Sequence, residues 1–192
     1  SADPEREYWY DMSKLGGAVG ALIADAANWP AFDGKSLSGY QRSRVLLNQR
    51  GGFRDVAPVV GVDDRLDGRA VVLADLSGDG SLDAVVANQR GPLLLYRSEP
   101  LPGRHWIAFD LTGTASNRDA VGAELTIRWA GGVQRQIVSA GMGFASQVPQ
   151  RLHFGLGDAE RVDEVRIEWP SGAEQVLGDL EVDRIHHVEE AR

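Results

Sequence analysis

Between residues 124 and 129 apolar and polar side chains alternate without a break: Leu125, Ile127 and Trp129 fall on one parity, Glu124, Thr126 and Arg128 on the other. The pattern returns with Val165, Ile167 and Trp169 against Glu164, Arg166 and Glu168. A helical repeat of 3.6 would smear each set around its circumference, whereas a strand of period two separates them into a buried and a solvated face. Half-buried antiparallel strands are therefore predicted. Further strands are expected at 106–111, 134–139, 151–154, 174–176 and 184–188, so residues 104–192 are expected to form a compact antiparallel β-sandwich.

Upstream the strands are shorter, at 44–48, 52–56, 70–75, 82–88 and 93–97, with the turn-separated spacing of a propeller or a sandwich. Pro100, Pro102 and Gly103 form a breaker cluster that marks a boundary. Nearer the N-terminus Tyr8, Met12, Leu15, Val19, Leu22, Ala26 and Trp29 recur at steps of four and three, the stripe of an amphipathic helix over 5–29 that ends at Pro30. Gly16, Gly17 and Gly20 each cost such a helix about 1 kcal/mol relative to Ala, so it needs tertiary support. The expected organisation is a helix and loop over 1–40, a repeat unit over 41–99 and the sandwich over 104–192, within the reach of a 192-residue chain.

A formal net charge of -8 and only two lysines, Lys14 and Lys35, argue against nucleic acid, whose phosphates demand clustered cations. The absence of cysteine excludes disulfides, thiolate chemistry and zinc–thiolate sites. The longest apolar stretch, 15–27, is about half of a membrane span and contains Asp25, so no spanning helix is expected. Asp3, Glu5, Glu7 and Asp11 precede it where a signal peptide would carry basic residues. Export would require a signal already removed from this sequence.

The segment Asp75-Leu-Ser-Gly-Asp-Gly-Ser-Leu-Asp83 places oxygen-bearing side chains at its first, third, fifth and ninth positions around a glycine turn. Ca²⁺ takes six to eight oxygen ligands at about 2.3–2.6 Å, and alternating short acidic side chains in a tight turn converge on one point. Asp75, Ser77, Asp79 and Asp83 offer side-chain oxygens and Ser81 its carbonyl, with Gly80 permitting the turn. The helix–loop–helix calcium motif starts the same way but needs a Glu at position twelve, where Val86 stands, and strand-like runs flank the loop where that motif has helices. Against the calcium reading stands an Asx-rich hairpin turn that binds nothing.

Two resemblances span nearly all of the chain past residue 40. Arg44-Val-Leu-Leu-Asn48, Gly52-Phe-Arg-Asp-Val56, Gly61-Val62, the acidic loop and Leu94-Leu-Tyr-Arg97 together resemble an FG-GAP/VCBS repeat, whose copies form propeller blades, as in integrin α-subunits, and carry calcium in the Asp-rich loop. Gly113-Thr-Ala-Ser-Asn-Arg-Asp-Ala-Val-Gly-Ala123, Gly141-Met-Gly-Phe-Ala-Ser-Gln147, Arg151-Leu-His-Phe-Gly-Leu-Gly157 and Glu168-Trp-Pro-Ser-Gly172 resemble the ASPIC/UnbV domain, which follows such repeats in cartilage acidic protein-like and bacterial UnbV-type proteins. The implied fold is mainly β: one or more blades behind an N-terminal amphipathic helix, then the sandwich. Only one complete blade and at most a partial second, over 24–48, are found, whereas a propeller closes with four to eight. A protein partner, the remaining blades from the same or another chain, or the helix is expected to cover the open edges. Ser77 stands where many repeats have Asp or Asn, and its neutral hydroxyl is expected to weaken the calcium site without abolishing it.

His105, His153, His186 and His187 show no metal or triad spacing, and adjacent His186 and His187 face opposite sides of a strand. Gly141-Met-Gly-Phe-Ala-Ser146 lacks the third glycine of a dinucleotide loop, and no Gly-x-Ser-x-Gly elbow supports hydrolase chemistry. Asn117, Arg118 and Asp119 place amide, guanidinium and carboxylate between two strands, where Arg118 could clamp an anion; the bland reading is a loop that satisfies its own backbone. Ser146 and Gln147 divide the same way between ligand contact and loop hydrogen bonding. Trp129 and Trp169 sit in apolar stripes and read as core rather than as a carbohydrate platform. The leading expectation is a noncatalytic, calcium-stabilised binding module, secreted, periplasmic or at a cell surface. The alternative, implied by the UnbV resemblance, is an enzyme or accessory protein of enediyne-type natural-product biosynthesis with a small-molecule pocket near Asn117, Arg118, Asp119 or Ser146. An adhesion fragment is a third.

Overall fold

In the computed structural model of the chain, Tyr8, Met12 and residues 25–31, 33–37, 40–49, 51–141 and 143–191 are described. The fold is mainly β: twelve strands, β1 to β12, and two single helical turns among these residues. The expected helix over 5–29 lies largely outside them. At its described end, Ala26–Asn28 is a single 3₁₀ turn, with Asp25 Oδ1 accepting from the Ala27 N–H at 3.0 Å.

The chain divides into two compact units that do not follow sequence order: residues 1–70 with 86–96, and residues 71–85 with 97–192. In the first, β1 (Leu46–Gln49) and β2 (Gly52–Asp55) form an antiparallel hairpin whose Leu46, Leu47 and Phe53 are exposed. The single turn α1 (Ala57–Val60) follows, ended by Gly61 at φ 74°. Half-buried carboxylates hold the irregular backbone. Asp67 accepts from the Ser36 hydroxyl at 2.6 Å and the Leu37 N–H at 2.9 Å. Asp64 accepts from the Tyr96 hydroxyl at 2.8 Å, and burial together with that bond and the Asp64 charge pushes the phenol up to about 12.

Strands β3 (Gly68–Ala74), β4 (Asp83–Asn88) and β5 (Leu94–Tyr96) form a three-stranded sheet in that order, with β3 at its edge. β1 and β2 form a separate two-stranded sheet, so no four-stranded blade and no closed propeller is present among the described residues.

The second unit has two further sheets. One is fully antiparallel, in the order β11 (Glu174–Glu181), β10 (Arg161–Glu168), β7 (Glu124–Trp129), β8 (Gly132–Ile137). The other runs β12 (Arg184–Glu189), β6 (His105–Thr112), β9 (Leu152–Gly157). Here the expected antiparallel sandwich needs correction, because β12 pairs with β6 in parallel, Arg184 beside Ile107 and Val188 beside Leu111. The reason is topological. β11 ends the first sheet, and after Val182 and Asp183 the chain enters the second sheet beside β6, in the same direction. Alternation specifies which face of a strand is buried, not which neighbour it takes.

The alternating residues do what their parity predicts. Leu125, Ile127, Val165 and Ile167 are wholly buried and pack with Ile107, Phe109, Leu152, Phe154, Val188 and Trp169 into one core shared by the two sheets. On the other face Arg128 pairs with Glu164 at 3.6 Å, and Arg135 with Glu124 and Arg166 with Glu174 add to a solvated ladder. Such exposed pairs contribute little each, about 0–1 kcal/mol, so burial in the core dominates.

Candidate functional site

The acidic loop folds around its first residue. Asp75 Oδ1 accepts from the Gly78 and Asp79 N–H groups at 2.7 and 3.1 Å, and Oδ2 from Gly80 at 2.9 Å. These three consecutive N–H groups can point inward because Gly78 and Gly80 take φ 74° and 88°, which cost an L side chain steric strain. Asp79 accepts from the Ser81 N–H at 2.9 Å, and its carboxyl is held below the usual range, first by the Ser77 hydroxyl and then by that backbone bond. Asp83 is buried at 1% exposure and bridges the Leu76 N–H at 3.2 Å to the Ser98 N–H at 2.9 Å.

Every donor of the proposed set is oxygen, the chemistry of a hard cation. The loop also satisfies its own carboxylates: among the described residues no three carboxylate or imidazole groups are gathered to hold a metal ion. A carboxylate nevertheless has about four lone-pair directions, so oxygens bonded to backbone N–H groups keep capacity for another partner.

The loop is docked onto the sandwich. Gly80 lies against the indole of Trp106 so closely that a Cβ there would overlap ring atoms Nε1, Cδ1 and Cε2. His153 stacks on the other component of this contact, its ring 5.4 Å from Trp106 and inclined by 9°. Its Nε2 is 2.9 Å from the Gly80 carbonyl, which can only accept, so Nε2 carries the proton. Burial pulls the His153 pKa down, against the Gly80 bond and the Asp75 charge, and keeps the ring neutral.

Beside this contact opens a cleft of about 630 Å³. Leu73, Leu82, Ile137, Val148 and Pro149 give it apolar walls, and Asp75, Arg151 and His153 are its ionisable residues. Arg151 is a fork on Asp110, with Nε donating to Oδ1 at 2.9 Å and one Nη to Oδ2 at 2.8 Å. That bidentate bond raises its pKa further. Gln136 donates to the His153 carbonyl at 2.8 Å and Ser139 to the Gly141 carbonyl at 2.8 Å.

The residues singled out in the loops are not brought together. Asn117 closes its own turn, donating to the Val121 carbonyl at 2.8 Å and accepting from the Val121 N–H at 2.9 Å. The Arg118 carbonyl accepts from Gly113 at 3.0 Å, and its side chain is exposed. Asp119 lines a small hollow of about 210 Å³ with Asp110 and Arg151. Ser146 is half-buried and Gln147 exposed in the loop after β8.

Sequence reasoning passed over Glu190. It is 2% exposed, and its carboxylate accepts from the N–H groups of Thr114, Ala115 and Ser116 at 2.8, 2.9 and 2.7 Å. The hydroxyls of Ser116 and Ser171 add bonds of 2.9 and 2.5 Å. Burial pushes the carboxyl up, but the Ser171 hydroxyl, the Ser116 and Thr114 N–H groups and the Ser116 hydroxyl together hold it at about 2. The Gly113–Ala123 and Trp169–Gly172 motifs thus meet at one charge. A signal was present: the inward parity of Val188 extends to residue 190.

Residues 113–192, which carry these motif-bearing loops, match the ASPIC and UnbV family. Over 144 residues, 72% of this chain, the sequence is 25% identical to cartilage acidic protein 1 of Homo sapiens, and equally to that of Mus musculus. The chain spans 22% of the length of these curated relatives.

Proposed function

We propose that the chain is a noncatalytic binding module whose acidic loop is stabilised by Ca²⁺. The observation that carries the binding reading is the cleft. Its volume of about 630 Å³ and apolar walls suit a binding site, while its polar side chains are committed within the protein: Arg151 to Asp110, His153 to Gly80, Gln136 to the His153 carbonyl and Ser139 to Gly141. A nucleophile needs a base within hydrogen-bond reach. Here the candidate base donates to a carbonyl instead.

Asp75, Ser77, Asp79, Asp83 and the Ser81 carbonyl would hold the cation, which supplies charge neutralisation and rigidity rather than chemistry. Ca²⁺ competes with backbone N–H groups for the same oxygens, which puts its affinity at the weak end, suited to the millimolar calcium outside cells. The three-stranded sheet around the loop is read as part of an FG-GAP/VCBS blade, completed by blades of the same protein or of a partner. Titration calorimetry tests the metal, with Asp79→Asn as the variant of choice because an amide oxygen can still accept from the Ser81 N–H, whereas Asp83 is buried and bridges Leu76 to Ser98. Absence of heat with Ca²⁺ and an unchanged melting temperature in chelator would refute it. At a hundredfold excess over the dissociation constant, bound Ca²⁺ adds about 2.7 kcal/mol.

A second reading, handling of a small molecule in natural-product biosynthesis, draws support from the cleft volume, which lies within the drug-sized range. Turnover of a small molecule that is lost in a variant of the cleft wall would favour it.

A further inference from the structure

Successive residues of a strand point to opposite faces of its sheet, so a cavity that touches one face meets every second residue. The cleft does not follow that rule. Leu73 and Ala74, consecutive at the end of β3, both line it, as do Gln136 and Ile137, consecutive at the end of β8. Gln136 stands opposite Leu125 of the core-facing set and Ile137 opposite Glu124 of the solvated set. A wall that takes both parities is the edge of a strand. Both strands are edge strands: β3 ends the order β3-β4-β5 and β8 ends β11-β10-β7-β8. Among the described residues neither outer edge has a partner strand.

Edges present unpaired N–H and C=O groups, and apolar edges left open are templates for another chain. The neighbouring edge, β9, is treated differently, since Gln134 and Gln136 donate to its Gly155 and His153 carbonyls at 3.1 and 2.8 Å. The side chains flanking the open edges, Leu73, Leu82, Ile137 and Val148, are apolar, and Leu73 and Ile137 are each 53% exposed. The cleft offers no spare cation for an acid, because Arg151 is already forked on Asp110.

We infer that the cleft receives an extended, uncharged segment of a partner protein, which adds as a strand along β8 or β3 and places alternate apolar side chains against Leu73, Leu82, Ile137 and Val148. Main-chain hydrogen bonds supply the affinity and the apolar wall the selectivity. The inference rests on the binding-module reading; the cleft shares Asp75 with the acidic loop, but its apolar walls need no cation.

The probe is a library of acetylated, amidated heptapeptides with Val, Ile, Leu or Phe at positions two, four and six and Thr, Ser or Gln between them, presented to the full chain. Enriched peptides are expected to shift the backbone amide resonances of 73–75 and 136–139. N-methylation of alternate peptide amides should weaken binding by about tenfold or more, the loss of a hydrogen bond or two. Ile137→Lys should abolish binding, while Val176→Lys, exposed on β11 at the far edge of the same sheet and outside the cleft, should leave it unchanged. No enrichment over a charged control library overturns the proposal. So does binding that tolerates N-methylation, which would mark a side-chain or small-molecule pocket, and so do concentration-dependent shifts without peptide, which would mark a second copy of the chain. Repeating the titration in Ca²⁺ and in chelator separates the two readings: a failed metal site leaves peptide binding in place, and failed peptide binding leaves the calorimetric Ca²⁺ signal in place.

Discussion

The contact between Gly80 and Trp106 can be tested with a pair of substitutions in one loop. Gly78 and Gly80 have similar left-handed backbones, φ 74° and 88°, but a Cβ on Gly78 meets open space and one on Gly80 enters the indole ring. Gly78→Ala therefore reports backbone strain alone, about 1–2 kcal/mol for a non-glycine residue in this region. Gly80→Ala carries the same strain and must also displace Trp106 or lift the loop. Lifting it forfeits the Trp106–His153 stack, about 0.5–1.5 kcal/mol for an aromatic pair, and the His153–Gly80 bond, about 0.5–1.5 kcal/mol. The expected cost is about 2–5 kcal/mol, at least 1 kcal/mol more than its neighbour. Urea unfolding followed by circular dichroism measures both, and the His153 imidazole resonances report whether the stack survives. Equal destabilisation by the two variants, with the His153 resonances unmoved, would refute docking of the loop on Trp106.

Glu190→Gln should lower the urea midpoint at pH 7. Because the folded carboxyl sits at about 2 against an ordinary 4.5, its contribution is full above pH 4.5 and fades as pH falls toward 2; the variant should lack that part of the acid slope in melts at pH 7, 4 and 3. His153 is depressed below its ordinary 6.5, so the fold favours the neutral ring and loses stability as pH falls below 6.5; NMR titration should find it below that value with the proton on Nε2, and His153→Phe should flatten the dependence. Ile127→Ala, wholly buried, should cost about 2–5 kcal/mol. Phe53→Ser, at 71% exposure, should stay within about 0.5 kcal/mol in the same unfolding assay.

The strands were legible because solvent acts on one face at a time, and Leu125, Ile127, Val165 and Ile167 record that in their parity. Partnership is not recorded locally, which is why the parallel β12–β6 pair differs from expectation. The loops divide similarly. The Asx-type self-closure of Asn117 follows from its residue type. The Glu190 cluster depends on groups 74 to 76 residues away and becomes visible only when the sheets bring the ends together. The cleft was illegible for the same reason, since its walls come from 73–75, 82, 136–139 and 148–153, and no short window holds them. The acidic loop stood out because its chemistry is compressed into nine residues.

The parallel pairing of β12 has a consequence for how the sandwich is made. β6 is the central strand of its sheet, and one of its neighbours is the last strand of the domain; the Trp106–Asp183 bond alone closes 77 residues of chain. During synthesis β6 leaves the ribosome long before β12 exists, so half of its hydrogen-bonding capacity waits through the making of everything between. Such high contact order slows folding and exposes an apolar strand in the meantime. It also makes residues 184–190 a checkpoint: until Val188 reaches the core and Glu190 its cluster of N–H groups, the sandwich cannot close.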